Sequence, residues 1–240
     1  FALACLIGIT LWNAAEILLR VWWSLRQRGS LYFWSIITAA LGILICVISQ
    51  VIKLEVPSQS GSVALAIGSA GWVPMVTGQS VVLYSRLHLL WDNARLLRYI
   101  LAIILINAVI LHIPTITVGI VAASTDSSPQ IIKAYTILER VQVTIFFLQE
   151  LCLSGLYLWR CTHFQKQYGR RMGASDTAAM TKMLWSLIAI NLVVTMLDCS
   201  VLALEYLNLY VVQLTAKNFV YSVKLKMELS VLNSLRDYVQ

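Results

Sequence analysis

The chain has 240 residues, 59% hydrophobic and only 12% charged, with a formal net charge of +7 and a mean hydropathy of +0.78. A soluble domain is about 25% charged, so a water-soluble globular fold is excluded and the lipid bilayer is the expected partner. The basic excess then reads as a rim facing anionic headgroups, with no nucleic-acid partner.

A bilayer core about 30 Å thick needs about 20 helical residues. Seven apolar runs reach that length, at roughly 1–22, 31–52, 62–85, 97–121, 132–159, 181–204 and 207–229. The expected architecture is all-α: one seven-transmembrane helix bundle over residues 1–240, with short links joining antiparallel neighbours. The chain opens at Phe1, and "FALACLIGITLW" runs on into the first span and reads as helix rather than a cleaved leader. An opening without methionine is the expectation for a trimmed piece of a longer chain.

In the first span, Asn13, Glu16 and Arg20 share one side. The third contains Pro74 and Gln79, ends on Arg86 and His88, and holds no acid. The fourth carries Asn107 and the stretch "LHIPT", with His112 and Pro114. In the fifth, Glu139 and Glu150 project about 20° apart on one face, with Gln142, Phe146 and Gln149 near the same stripe. The sixth repeats polar residues at intervals of seven, Asn191, Asp198 and Glu205, and the seventh runs Gln213, Lys217 and Lys224 down one side. Lys224 and Lys226 read as an ordinary membrane-edge stop.

Charge sets the direction. Fourteen of the eighteen basic residues fall on links one, three and five or the tail; Lys53 and Lys133 lie opposite, and Arg140 and Lys217 lie inside helices. Basic loops stay cytosolic, so the N-terminus is expected outside and the C-terminus in the cytosol. Trp22, Trp23, Trp34, Trp91 and Trp159 belong at the cytosolic edge as an aromatic belt. The cysteines, Cys5, Cys46, Cys152, Cys161 and Cys199, match no zinc spacing and read as small packing residues.

Ionisable groups in hydrocarbon cost several kcal/mol unless paired or wet, so they mark candidate sites. Lys217 enters about 15 Å below the outer end of its span and Asp198 about 9 Å below the end of its own. The expected pairing is Lys217 with Asp198, with Glu139 second. A site between spans five, six and seven would then use Glu139, Gln142, Asn191, Asp198, Gln213 and Lys217.

Several stretches, "GSLYFWSIITA", "VVLYSRLHLL", "LHIPT", "YTILERVQVTIFFLQELCLSGLYLW" and "YSVKLKMELSVLNSL", resemble a group of fungal seven-helix integral membrane proteins assigned to a domain of unknown function. The resemblance implies a seven-helix bundle in a fungal membrane and brings no catalytic or ligand-contacting residue with it. The topology is receptor-like by analogy only. Arg86 has no adjacent acid, and no "NPxxY" closes the seventh span.

The leading functional expectation is a receptor or sensor for a small hydrophobic or amphipathic ligand, at the plasma membrane rather than the endoplasmic reticulum. Its basic loops would meet a cytosolic partner. The alternative is an integral membrane enzyme of terpenoid-cyclase type, in which Glu16, Glu139, Glu150 or Asp198 is a protonated acid and "WNAAE" (Trp12 to Glu16) sets tryptophan beside glutamate. A retinal-type Schiff base on Lys217, or transport, comes third; the acid-free third span speaks against retinal. No cofactor and no metal is expected.

Overall fold

The computed structural model of the chain describes residues 1–24, 30–55, 61–91, 93–124, 128–168, 174–207 and 210–239. They form seven helices, α1 (Ala2–Ser24), α2 (Leu31–Glu55), α3 (Gly61–Leu90), α4 (Ala94–Ala122), α5 (Pro129–Tyr168), α6 (Ala174–Tyr206) and α7 (Tyr210–Val239), and no strand among the described residues. Arg26, Arg28, Arg170 and Arg171, part of the basic rim read from the sequence, lie outside the described residues.

Each expected span is matched by one helix, but three helices run on. α5 continues to Tyr168, α6 begins at Ala174 and α7 extends to Val239, so most of the expected fifth loop is helical. Lysine, arginine, glutamine and alanine are good helix formers, and a helix that satisfies its own backbone has no need to stop where hydrocarbon stops. α4 starts where its cap dictates: the Asn93 side chain accepts from the backbone N–H groups of Arg95 and Leu96 at 3.1 and 3.3 Å.

Contact partners fix the direction of each helix. Between α2 and α3, Ser49 meets Gly68, Cys46 meets Gly71 and Ala39 meets Gly78, so the two run oppositely. The same holds for α4 and α5 (Asn107 with Gln149, His112 with Gln142) and for α6 and α7 (Asp198 with Lys224, Glu205 with Lys217). Glu139 with Lys217 and Glu150 with Lys224 make α5 parallel to α7; Asn13 with Ser222 and Glu16 with Lys226 do so for α1. Ser80 with Gln149 and Arg86 with Tyr157 align α3 with α5. The bundle is therefore up-and-down, with odd helices one way and even helices the other.

The closest packing joins α2 to α3. A Cβ on Gly42 would lie 2.6 Å from the Gly71 carbonyl oxygen and 2.7 Å from the Met75 nitrogen; one on Gly71 would lie 2.7 Å from the Gly42 oxygen. Small residues let two backbones touch, and dispersion and close polar contacts replace the hydrophobic drive that lipid does not supply. Around this seam one core joins Ile17 and Val21 of α1, Ile36 and Ile43 of α2, Met75 of α3 and Leu225 of α7. A second joins Leu83 and Leu87 of α3 to Ile104, Leu153 and Leu187.

The outside is apolar. Ile103, Ile106, Val109, Ile110 and Ile113 of α4 are each more than half exposed. In five helices, segments Ala2–Trp23, Leu31–Leu54, Ala94–Ala122, Pro129–His163 and Leu187–Tyr206 are long and apolar enough to cross a bilayer. α3 and α7 fall short among the described residues because they carry the polar interior: Gln79, Ser80 and Arg86 on α3, and Lys217, Asn218, Lys224 and Glu228 on α7, are all buried. The molecule is a helical, membrane-embedded protein whose apolar helices turn outward and whose polar stripes turn inward.

Candidate functional site

The polar interior is organised on α7. Gln213, Lys217, Lys224 and Glu228 follow at intervals of four, seven and four, which keeps them on one face. Lys217 Nζ lies 3.0 Å from Oε1 of Glu139 on α5 and 2.5 Å from Oε2 of Glu205 on α6. Gln213 donates to the same Glu205 oxygen, and Lys217 Nζ also sits 5.2 Å from the centre of the Trp72 ring of α3. Two turns further along, Lys224 Nζ lies 2.5 Å from Glu150 of α5 and 2.5 Å from Asp198 of α6. The arrangement thus repeats: an α7 ammonium between one α5 carboxylate and one α6 carboxylate. In each layer the lysine is held between two carboxylates.

A third contact continues the stripe. Arg86 Nη2 of α3 lies 2.5 Å from Glu228 Oε1, with both side chains fully enclosed, and the guanidinium packs over the Tyr157 ring at 5.0 Å. Excellent geometry and added partners are what make such pairs tolerable away from water. In this half of the bundle Gln79 Nε2, Arg86 Nε, Glu150 Oε1 and Glu228 Oε2 have no hydrogen-bond partner among the described residues.

A cavity of about 100 Å³ opens beside the first layer. Its polar wall includes Lys217, Glu139, Gln142, Gln50 and Lys53, and its apolar wall includes Trp72, Leu65 and Ile116. That volume exceeds what one water fills. It lies at the bundle end where α3, α5 and α7 begin. Of the Lys217 trio only the Glu139 side chain is appreciably exposed, at 22%, against 3% for Glu205. Gln142 Nε2 donates to His112 Nδ1 at 2.9 Å. With Nδ1 accepting, a neutral ring carries its proton on Nε2, which reaches Thr77 Oγ1 at 3.3 Å. Gln50, which also lines the cavity, donates to Thr215 and accepts from Asn218 at 3.1 Å.

These positions correct several expectations. Lys217 does not pair with Asp198; its partners are Glu139 and Glu205, because α6 and α7 run antiparallel and the α6 residue level with Lys217 lies one heptad nearer the link between them. Asp198 pairs instead with Lys224, which is fully buried and not an edge stop. Asn191, one heptad beyond Asp198, is buried with neither amide atom partnered among the described residues and does not line the cavity. The cavity is walled by α2, α3, α4, α5 and α7, and α6 contributes no lining residue. Glu16 stands apart, paired with Lys226 at 2.6 Å and with Arg20 at the α1–α7 edge. Glu228 was legible as the next member of the α7 stripe, four residues past Lys224; nothing in the sequence pointed to Trp72.

Chemically, the site offers a charged wall facing an apolar one. Glu16, Glu139, Glu150 and Asp198 are each held in an ion pair, so none stands as the isolated carboxylic acid that alkene or epoxide protonation needs. α3 presents Trp72 to Lys217 rather than a carboxylate.

The chain belongs to a family described as a domain of unknown function (DUF7703), whose match covers residues 2–240. No curated protein and no solved structure matches it.

Proposed function

We propose that this member of the family is a receptor-like protein of seven membrane spans that binds a small amphipathic ligand in the cavity beside Lys217. The N-terminus is outside, the C-terminus is cytosolic, and the membrane is a fungal plasma membrane. The observation that carries this reading is an opening in the polar seam: the Lys217–Glu139 pair forms one wall of a cavity whose apolar wall includes Trp72, Leu65 and Ile116. A ligand with one charged group and an apolar body fits such a wall pair. α7 carries ion pairs to α5, α6 and α3 from the cavity toward its far end. A ligand that exchanges with Glu139 or Lys217 therefore acts on the helices that end at the basic loops, where a cytosolic partner docks.

The test is a thermal-unfolding screen of the purified chain in nanodiscs against small amphipathic acids and amines. A ligand at about 100 times its Kd stabilises by about 2.7 kcal/mol, a rise of about 5 °C or more for a chain of this size. Ser69→Phe, which fills the cavity from α3, abolishes the shift. A shift that persists in Ser69→Phe places the ligand elsewhere and removes the cavity from the argument.

A further inference from the structure

Most polar side chains around the cavity have already spent a proton. Ser69 and Thr115 donate their hydroxyls to the carbonyl oxygens of Leu65 and Leu111, one turn back in their own helices, each at 2.8 Å. From α2 to α3, Ser49 donates to the Ala64 carbonyl at 2.5 Å and the Cys46 thiol to that of Gly68 at 3.5 Å. Gln142 turns its amide nitrogen to His112 and keeps Oε1 as an acceptor. All of these line the cavity. What the hydroxyls, the thiol and the amide oxygen have left to offer it is lone pairs.

The charged groups point the same way. Lys217 lies between Glu139 and Glu205 with its Nζ over the Trp72 ring, so its donors are engaged. Glu139 meets Lys217 through Oε1 and is the partly exposed member of the trio. Lys53 and Tyr135 also line the cavity, and each has a partner of its own. They stand three residues beyond Gln50 and four before Glu139, about one turn nearer the end of the bundle, and so border the mouth. A wall of acceptors with one reachable carboxylate is complementary to a cation that donates hydrogen bonds. An anion there would set acceptors against acceptors, which leaves buried polar groups unpaired.

Resting on the reading of the cavity as the ligand site, we propose that its ligand is a small amine bound as the ammonium ion. The N–H groups donate to Glu139 and to Gln142 Oε1, the charge faces the Trp72 ring, and the hydrocarbon body lies against Leu65 and Ile116.

The full chain in phosphatidylcholine nanodiscs is titrated at neutral pH with hexylamine, hexanol, hexanoate and hexyltrimethylammonium, and the unfolding temperature is followed against concentration. The probes share one hydrocarbon and differ only at the head. Hexylamine reaches a given rise at a concentration at least about tenfold below hexanol and hexanoate, as a hydrogen bond to a charged group predicts. Hexyltrimethylammonium, a cation with no N–H to donate, is weaker than hexylamine. Glu139→Gln raises the hexylamine concentration about tenfold and leaves that of hexanol unchanged; the comparison of probes on the wild-type chain stands even where this variant does not fold. Hexanoate acting as strongly as hexylamine, with the effect lost in Ser69→Phe, overturns the amine and leaves the cavity as the ligand site. A hexylamine effect that survives in Ser69→Phe overturns both. Hexyltrimethylammonium matching hexylamine, or no effect of hexylamine at all, also overturns the amine.

Discussion

Lys217 and Lys224 stand seven residues apart on α7, and each is held between one carboxylate of α5 and one of α6. The repeat follows from helix geometry. Seven residues are nearly two turns, so a lysine pair at that interval on α7 meets Asp198 and Glu205, spaced by the same interval on an antiparallel neighbour. α5 runs parallel to α7, and its acids, Glu139 and Glu150, are eleven residues apart.

With each lysine held between two carboxylates, the two kinds of neutral substitution are unequal. Lys224→Met leaves Glu150 and Asp198 facing each other without a counter-charge, and breaking a buried pair in this way costs about 3–5 kcal/mol. Glu150→Gln keeps the Lys224–Asp198 pair and removes the surplus charge, so it is expected to cost less than about 1.5 kcal/mol. Thermal unfolding in nanodiscs separates the two. Equal losses would mean that Lys224 and its two acids do not form one charge-balanced unit.

The pairing itself is tested by coupling. Lys217→Met with Glu205→Gln is expected to be better than the sum of the single changes by about 1–3 kcal/mol, as contacting charged residues are. Lys217→Met with Asp198→Asn is expected to be additive within about 0.5 kcal/mol. The reverse result would restore Asp198 as the partner of Lys217.

The number of helices, their alternation and their inward polar stripes were all legible, because a span must be long and apolar and a buried charge must find company. The partners were not. A stripe fixes which face a residue takes, but which acid lies level with which lysine depends on where each helix ends. The link between α6 and α7 is short enough that an error of one heptad exchanges Glu205 for Asp198. Lys224 was misread because a lysine near the end of an apolar run normally marks the membrane edge; here α7 runs on to Val239, which places Lys224 mid-helix. The cavity escaped notice in part because several residues of its α2 and α3 walls are small, Ser49, Ala64, Gly68 and Ser69, and carry no chemical signature in a sequence.

The glycines separate close packing from mere permissiveness. Gly42→Ala places a methyl group against the α3 backbone, and neither partner is a flexible side chain that can swing away. A loss of about 1–3 kcal/mol is expected from overpacking. Gly155, with nothing within 4 Å of a Cβ, lies within α5, so Gly155→Ala is expected to gain up to about 1 kcal/mol of helix stability. Unfolding temperatures of the two variants in one nanodisc composition decide this. A gain at Gly42 would show that α2 and α3 do not approach as closely as the backbone contacts require.

Orientation is open to direct measurement. Ser124, after α4, and Ser30, before α2, lie at opposite ends of the up-and-down bundle. In a chain whose native cysteines have been replaced, Ser124→Cys is expected to react with a membrane-impermeant maleimide added to intact cells, and Ser30→Cys only after the membrane is opened. The basis is the distribution of arginine and lysine, whose retention on the cytosolic side sets topology. Arg20, at the Ser30 end, is one of these, with its Glu16 partner on the α1 surface. Labelling of Ser30→Cys in sealed cells with protection of Ser124→Cys would invert the molecule, place the cavity on the cytosolic side and turn the proposed ligand into an internal metabolite.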